Sequence, residues 1–159
     1  MLIPRDSFSY VDEVIKEILK YKKYNLRDCN KFFELFKLKY DETKTNNVNL
    51  RCYFFTSLLF PVLLAVKIKD INEYQRIKNG NGKEEFRNLI QKCNHIIGYL
   101  TEELKITDID NTIIDKIYDY MFIKNDDEGI VIKNNFSIQR SYINRMFDKL
   151  SFLGEKITL

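Results

Sequence analysis

Glycine and proline are scarce, at five and two in 159 residues. That is too few for a linker-rich chain or for a β protein with many tight turns. Cysteine is sparse and odd in number: Cys29, Cys52 and Cys93 are the three. Residues 1–6 carry no signal-peptide pattern, so a reducing cytoplasmic setting with free core thiols is expected. Long apolar runs are also lacking. The longest uncharged stretch, Cys52 to Val66, has fifteen residues and includes Thr56, Ser57 and Pro61. A spanning helix needs about 20 residues, so this stretch is expected to be a buried central helix, with no membrane span.

What is present is core material. Hydrophobic residues make up 45% of the chain, with 12 Phe and 10 Tyr, enough to close one domain over residues 1–159. Charged residues make up 31%, which keeps such a chain in solution. The net charge of +3 is unevenly placed, with +5 on residues 1–79 and −2 on residues 80–159. Lys16–Lys39 alone holds eight basic groups against three acidic ones. That is the stretch suited to an anionic partner.

Apolar spacing predicts helices almost throughout. Val11, Val14, Ile15, Ile18 and Leu19 form one stripe behind a capping box at Ser9–Asp12. Asn25 is placed to cap a second helix, with Leu26, Cys29, Phe33, Phe36 and Tyr40 alternating by three and four. Phe32 and Leu35 widen that face, so this helix is expected to pack on two sides. Residues 41–49 read as a loop, and residues 50–67 as a third helix that Pro61 must kink or break. Asp70 caps a short helix ending at Asn79-Gly80-Asn81-Gly82. Phe86 to Leu100 is expected as one amphipathic helix, and Ile109 to Met121 as another, capped by Thr107 or Asp108. Asp126–Gly129 reads as a turn, Ile130–Ile132 as a short strand, and Ser137 as the start of a last helix. The expected fold is all-α, a bundle of six or seven helices with one short β element near residues 130–133.

Most catalytic patterns fail on inspection. Gly80-Asn81-Gly82-Lys83 imitates a phosphate-binding loop, but Ile77 stands where the first glycine belongs and Glu84 replaces the magnesium-binding hydroxyl. Cys93 and His95 lie two residues apart, about 200° around a helix, and cannot pair as nucleophile and base. Seven residues separate Arg87 from the sole histidine, His95, more than the HEPN ribonuclease motif allows. The three cysteines and His95 show no paired zinc spacing. Asp108, Asp110, Asp115 and Asp119 read as the solvated side of a helix rather than metal ligands. No metal, cofactor or catalytic residue is expected. Lys16, Lys20, Lys22, Lys23, Arg27 and Lys31, with Tyr21 and Tyr24 between them, form a basic corner. Phosphate backbones attract such clusters and tyrosines stack on bases. The plainer reading is that these lysines solvate two amphipathic helices.

One segment resembles a known family. Tyr24-Asn25-Leu26-Arg27-Asp28-Cys29-Asn30-Lys31-Phe32-Phe33 is similar to the start of the helical lid of KAP-family P-loop NTPases. The likeness continues through the aromatic stretch at 36–40 and the apolar run at 54–66 to Val66-Lys67-Ile68-Lys69-Asp70-Ile71-Asn72-Glu73-Tyr74, so residues 10–78 resemble such a lid and residues 83–150 add further helices. The resemblance implies that Arg27 stands where a lid arginine faces nucleotide phosphates, with Asp28 orienting it or capping the helix. It also implies phage defence or a membrane-associated assembly as context. The chain carries neither a Walker A loop nor a strand-borne acidic Walker B motif. Any nucleotide-binding core is therefore expected outside this sequence, as a P-loop NTPase partner in trans. The expectation is a non-catalytic helical lid or interaction domain with a protein partner. The alternative is a small nucleic-acid-binding module using Lys16, Lys20, Lys23 and Lys31.

Overall fold

A computed structural model describes residues 5–43, 50–124, 129–133 and 136–157. Its architecture is an all-α bundle with one short antiparallel hairpin. The long helices α1 (Arg5–Tyr21) and α2 (Leu26–Thr43) come first. The central rod follows: α3 (Leu50–Tyr53), a π-helical segment (Phe54–Leu59) and α4 (Phe60–Lys69). Next come α5 (Ile71–Lys78), α6 (Lys83–Lys92), α7 (Asn94–Glu102) and α8 (Asn111–Tyr118), the last extended by a second π segment, Asp119–Ile123. The hairpin pairs β1 (Ile130–Lys133) with β2 (Phe136–Ile138), and α9 (Arg140–Ile157) closes the description.

The rod is the core. Leu58, Leu59, Leu63, Leu64, Ala65 and Val66 have no exposed surface. Around it α1, α2, α5 and α9 all pack on α4. Pro61 neither breaks nor ends the rod. In an α-helix its ring would press on the carbonyl four residues back and remove a backbone donor. Here the Phe60 N–H reaches Phe55 O in a wider π turn, and α geometry restarts at Phe60. Pro61 then sits in a first turn, where a missing N–H is tolerated. The rod, Leu50–Lys69, has 20 residues, long and apolar enough to cross a membrane. The fifteen-residue uncharged run is therefore shorter than the helix that contains it, and length does not exclude a span. In the folded chain 89% of the rod's most apolar window is covered by the protein itself.

Several boundaries differ from the spacing. Helix α1 starts at Arg5, so Ser9 lies inside it and is not the cap. The helix expected over 86–100 is split at Cys93, whose backbone leaves helical geometry at φ −100° and ψ 84°. The cause comes from another element: the Glu17 carboxylate of α1 accepts from Asn94 N (3.0 Å) and His95 N (3.1 Å), capping a new helix. Helix α8 is capped by Asp110, whose side chain accepts from Ile113 N, rather than by Thr107 or Asp108. Ser137 belongs to β2, and the last helix opens at Arg140 instead. Cys52 and Cys93 are buried, but Cys29 is only half-buried on α2 and is not a core thiol. Residues 41–43, expected to open a loop, extend α2 instead, while the rest of that loop, 44–49, and most of the turn expected at 126–129 fall outside the described residues.

One polar contact crosses the core. Lys67, only 7% exposed, donates from Nζ to Leu150 O at 2.8 Å and lies 4.9 Å from the Tyr74 ring centroid, joining α4 to α9 and α5.

Leu63 has no exposed surface. Leu63→Asp would remove a buried side chain worth about 2 kcal/mol and place a carboxylate among apolar groups at a further cost of several kcal/mol. Thermal denaturation followed by circular dichroism is expected to show loss of the folded state near room temperature. An unchanged melting temperature would contradict the burial of the rod.

Candidate functional site

The sequence features that resemble chemistry resolve into structural roles. The turn that imitates a phosphate loop ends α5 in a Schellman arrangement, with Gly80 at φ +88° and Asn81 N donating to Arg76 O. The Tyr118 hydroxyl bridges its two sides, donating to Ile77 O (2.7 Å) and accepting from Gly82 N (3.1 Å). Lys83 pairs with Asp119 at 2.7 Å, which holds its ammonium above the usual lysine range. The Tyr118 hydroxyl is thus a buried staple between α8 and the turn that follows α5.

Asp115 and Asp119 are not a solvated face. Asp115 holds Arg87 in a bidentate pair (3.1 and 2.9 Å), so together with the Asp119 pair it ties α8 to α6. Cys93 is fully buried, and desolvation first, then the nearby Glu17 charge, pushes its thiol up to about 12. His95 Nδ1 lies 3.1 Å from Glu17 on the α1–α7 seam. Among the described residues no group of three or more His, Cys, Asp and Glu side chains comes together.

The basic corner divides in two. Lys22 is drawn into a half-buried pair with Glu73 (2.9 Å), Lys69 pairs with Asp28 (2.6 Å), and Lys16 pairs with Glu13 (3.3 Å). Lys20, Lys23, Arg27 and Lys31 are exposed. Lys23 itself occupies the left-handed position that ends α1, at φ +56°, where glycine is usual. Of the two tyrosines, Tyr24 is unavailable for stacking. Its hydroxyl is bonded to Ala65 O, its ring lies edge-on to Phe32, and burial raises its pKa. Tyr21 is 36% exposed and lies between the Lys22 and Lys92 side chains, at 5.8 and 5.9 Å. Lys92, on α6, was not visible as part of this corner in the spacing.

Helix α2 opens with a reciprocal cap: Asp28 N donates to Asn25 Oδ1 (2.8 Å) and Asn25 N to Asp28 Oδ2 (3.3 Å). Asp28 is thus engaged by Asn25 and Lys69, and the Lys69 hydrogen bond holds its carboxyl below the usual range. Arg27 projects outward. The side of α2 that meets the core is set by Phe32 and Phe36, which stack on each other at 5.6 Å; Phe36 in turn stacks on Phe60 at 6.0 Å. The expected stripe Leu26–Cys29–Phe33–Phe36 is therefore rotated. Its Leu26 and Phe33 members are 78% and 47% exposed, and Leu38 is 56% exposed. Lys37 is also exposed on this helix.

No family model matches the chain, and no curated protein or solved structure matches it.

A Cβ on Gly82 would come within 2.7 Å of the Ile77 Cα and N. Gly82→Ala is expected to lower stability by about 2 kcal/mol through overpacking against backbone. Tyr118→Phe, which deprives the buried Gly82 N–H of its acceptor, is expected to cost about 1–3 kcal/mol. Urea denaturation of both variants measures this. Wild-type midpoints would show that the turn does not depend on the staple.

Proposed function

We propose that this domain is a non-catalytic helical interaction module, of the kind that forms the lid of a KAP-like P-loop NTPase, and that it contacts or regulates a protein partner. The observation that carries this reading is the outer side of α2, where Leu26, Phe33 and Leu38 are exposed beside Arg27. The ionisable pairs Arg87–Asp115, Lys83–Asp119 and Lys22–Glu73 serve inter-helix contacts, which supports a role other than catalysis. A cytoplasmic, water-soluble domain agrees with the burial of the rod, and phage defence is the context that the lid resemblance brings.

Two measurements test it. Calorimetric titration of the isolated chain with Mg-ATP is expected to show no binding, and micromolar affinity would overturn the non-catalytic reading. Arg27→Ala is expected to change stability by less than about 1 kcal/mol, as for an exposed first-turn residue. With a KAP-like core supplied in trans, that change is expected to impair nucleotide turnover and leave assembly intact. Turnover indifferent to the change would reduce the KAP likeness to a shared helix pattern.

A second reading is favoured by Tyr21, whose exposed ring is flanked by two lysines. In it Lys16, Lys20, Lys23 and Lys31 hold a nucleic-acid backbone while Tyr21 stacks on a base. Reversing Lys20, Lys23 and Lys31 to Glu separates the two. Abolition of a tight, sequence-dependent complex at physiological salt would favour this second reading. A weak complex that fades steeply with salt is only counterion release.

A further inference from the structure

Helix α2 carries two apolar lines. One, Phe32 and Phe36, is buried, with Phe36 stacked on Phe60 of α4. The other is Leu26 and Phe33, with half-buried Cys29 between them. Leu26 and Phe33 are seven residues apart, so on a helix their side chains fall within about 20° of the same line. Steps of three and then four residues are the pattern by which one helix offers knobs to another. A bilayer makes a poor occupant for this line. Asn30 and Lys37 follow Leu26 and Phe33 by one turn each, so polar side chains interrupt the line along its length, and a membrane-surface helix needs a continuous apolar face. Of Leu26, Phe33 and Leu38, only Phe33 offers a base a stacking surface, fewer than the successive platforms that single-strand binding uses.

The charge around the line narrows the occupant further. Among the described side chains of α2, Arg27, Lys31 and Lys37 are exposed, against one exposed acid, Glu34. Asp28 is held chiefly by Lys69, with a smaller interaction with Arg27. Leu38 lies on the same flank as Arg27 and Lys31, about a third of a turn from the Leu26–Phe33 line. A second copy of this chain would bring the same cations face to face, and like charges across a seam disfavour that pairing. We infer that the outer face of α2 is a docking seam for an acidic amphipathic helix of a partner protein, with apolar residues at three-and-four spacing packing on Leu26 and Phe33 and carboxylates meeting Arg27, Lys31 and Lys37. This inference rests on the interaction role proposed above and specifies the chemistry of the partner. Its recognition mode is a helix laid along an apolar line with a charged rim.

The experiment uses the whole chain as bait for a phage-displayed library of random peptides of about 18 residues, long enough for five helical turns. Enriched peptides are expected to be net acidic and to carry apolar residues at three-and-four spacing. Their affinities, measured by fluorescence anisotropy on synthetic copies, are expected to fall at least about tenfold on Leu26→Ser, Phe33→Ser or Lys37→Glu. Leu26 and Lys37 are well exposed, so those two variants keep the test valid should Phe33→Ser disturb the fold. Basic or unpatterned peptides, or acidic peptides indifferent to all three changes, would overturn the inference while leaving an interaction role through another surface intact. A library yielding no binder at all would overturn both. Tighter retention on phosphatidylserine vesicles or on a single-stranded oligonucleotide than on any peptide, lost on Leu26→Ser, would give the face to a lipid or nucleic acid instead. Self-association in sedimentation that Leu26→Ser abolishes would give it to a second copy.

Discussion

A buried helix with a proline near its middle sets the terms for everything around it. The rod must run straight enough to be covered on all sides, because α1, α2, α5 and α9 all pack on its second half. An unrelieved Pro61 would bend it and pull those four neighbours apart. The π turn at Phe54–Leu59 absorbs the missing donor locally, so the rod stays continuous from Leu50 to Lys69. Its polar groups are satisfied close by: Thr56 Oγ1 donates to Cys52 O, and the Tyr99 hydroxyl to Leu50 O. The buried Thr56 and Tyr99 hydroxyls are thus hydrogen-bonded there, which is the condition for an apolar helix to serve as a core.

Around that core, charged residues act chiefly as joints. Glu17 of α1 caps α7; Asp115 and Asp119 of α8 hold Arg87 and Lys83 of α6; Glu73 of α5 holds Lys22 at the end of α1. Most of these pairs are partly exposed, so each adds little stability by itself and more by fixing which helices meet. Residues that look like the parts of an active site are consumed in this way. Lys20, Lys23, Arg27, Lys31 and Lys37, from the last turn of α1 and along α2, stay exposed.

How much of this was legible in the sequence depended on whether the deciding contact was local. The Asn25 and Asp70 caps, the Gly80 turn and the buried rod are set by residues within a few positions of each other, and their spacing predicts them. The break at Cys93 does not show, because its cause is Glu17, 77 and 78 residues away from the amides it caps. The rotation of α2 does not show either. Phe32–Phe33 and Leu35–Phe36 give that helix two apolar lines of similar strength, and only the position of Phe60 selects Phe32 and Phe36. Spacing did indicate that α2 would pack on two sides; the described residues cover one of them. Lys69 and Lys92 join the basic corner from other helices, so no window along the chain could have included them.

The Lys67 contact has a consequence for how the last helix finds its place. Apolar faces match nearly as well after a slide of one helical turn, about 5.4 Å, so hydrophobic burial alone leaves neighbouring alignments of α9 close in energy. A buried nitrogen that donates to Leu150 O cannot keep that acceptor after such a slide. An alignment that leaves that nitrogen without an acceptor carries a desolvated ammonium, and the native one does not. The side chain works as a vernier mark, reading the position of α9 against the rod and rejecting alignments that a purely greasy seam would accept.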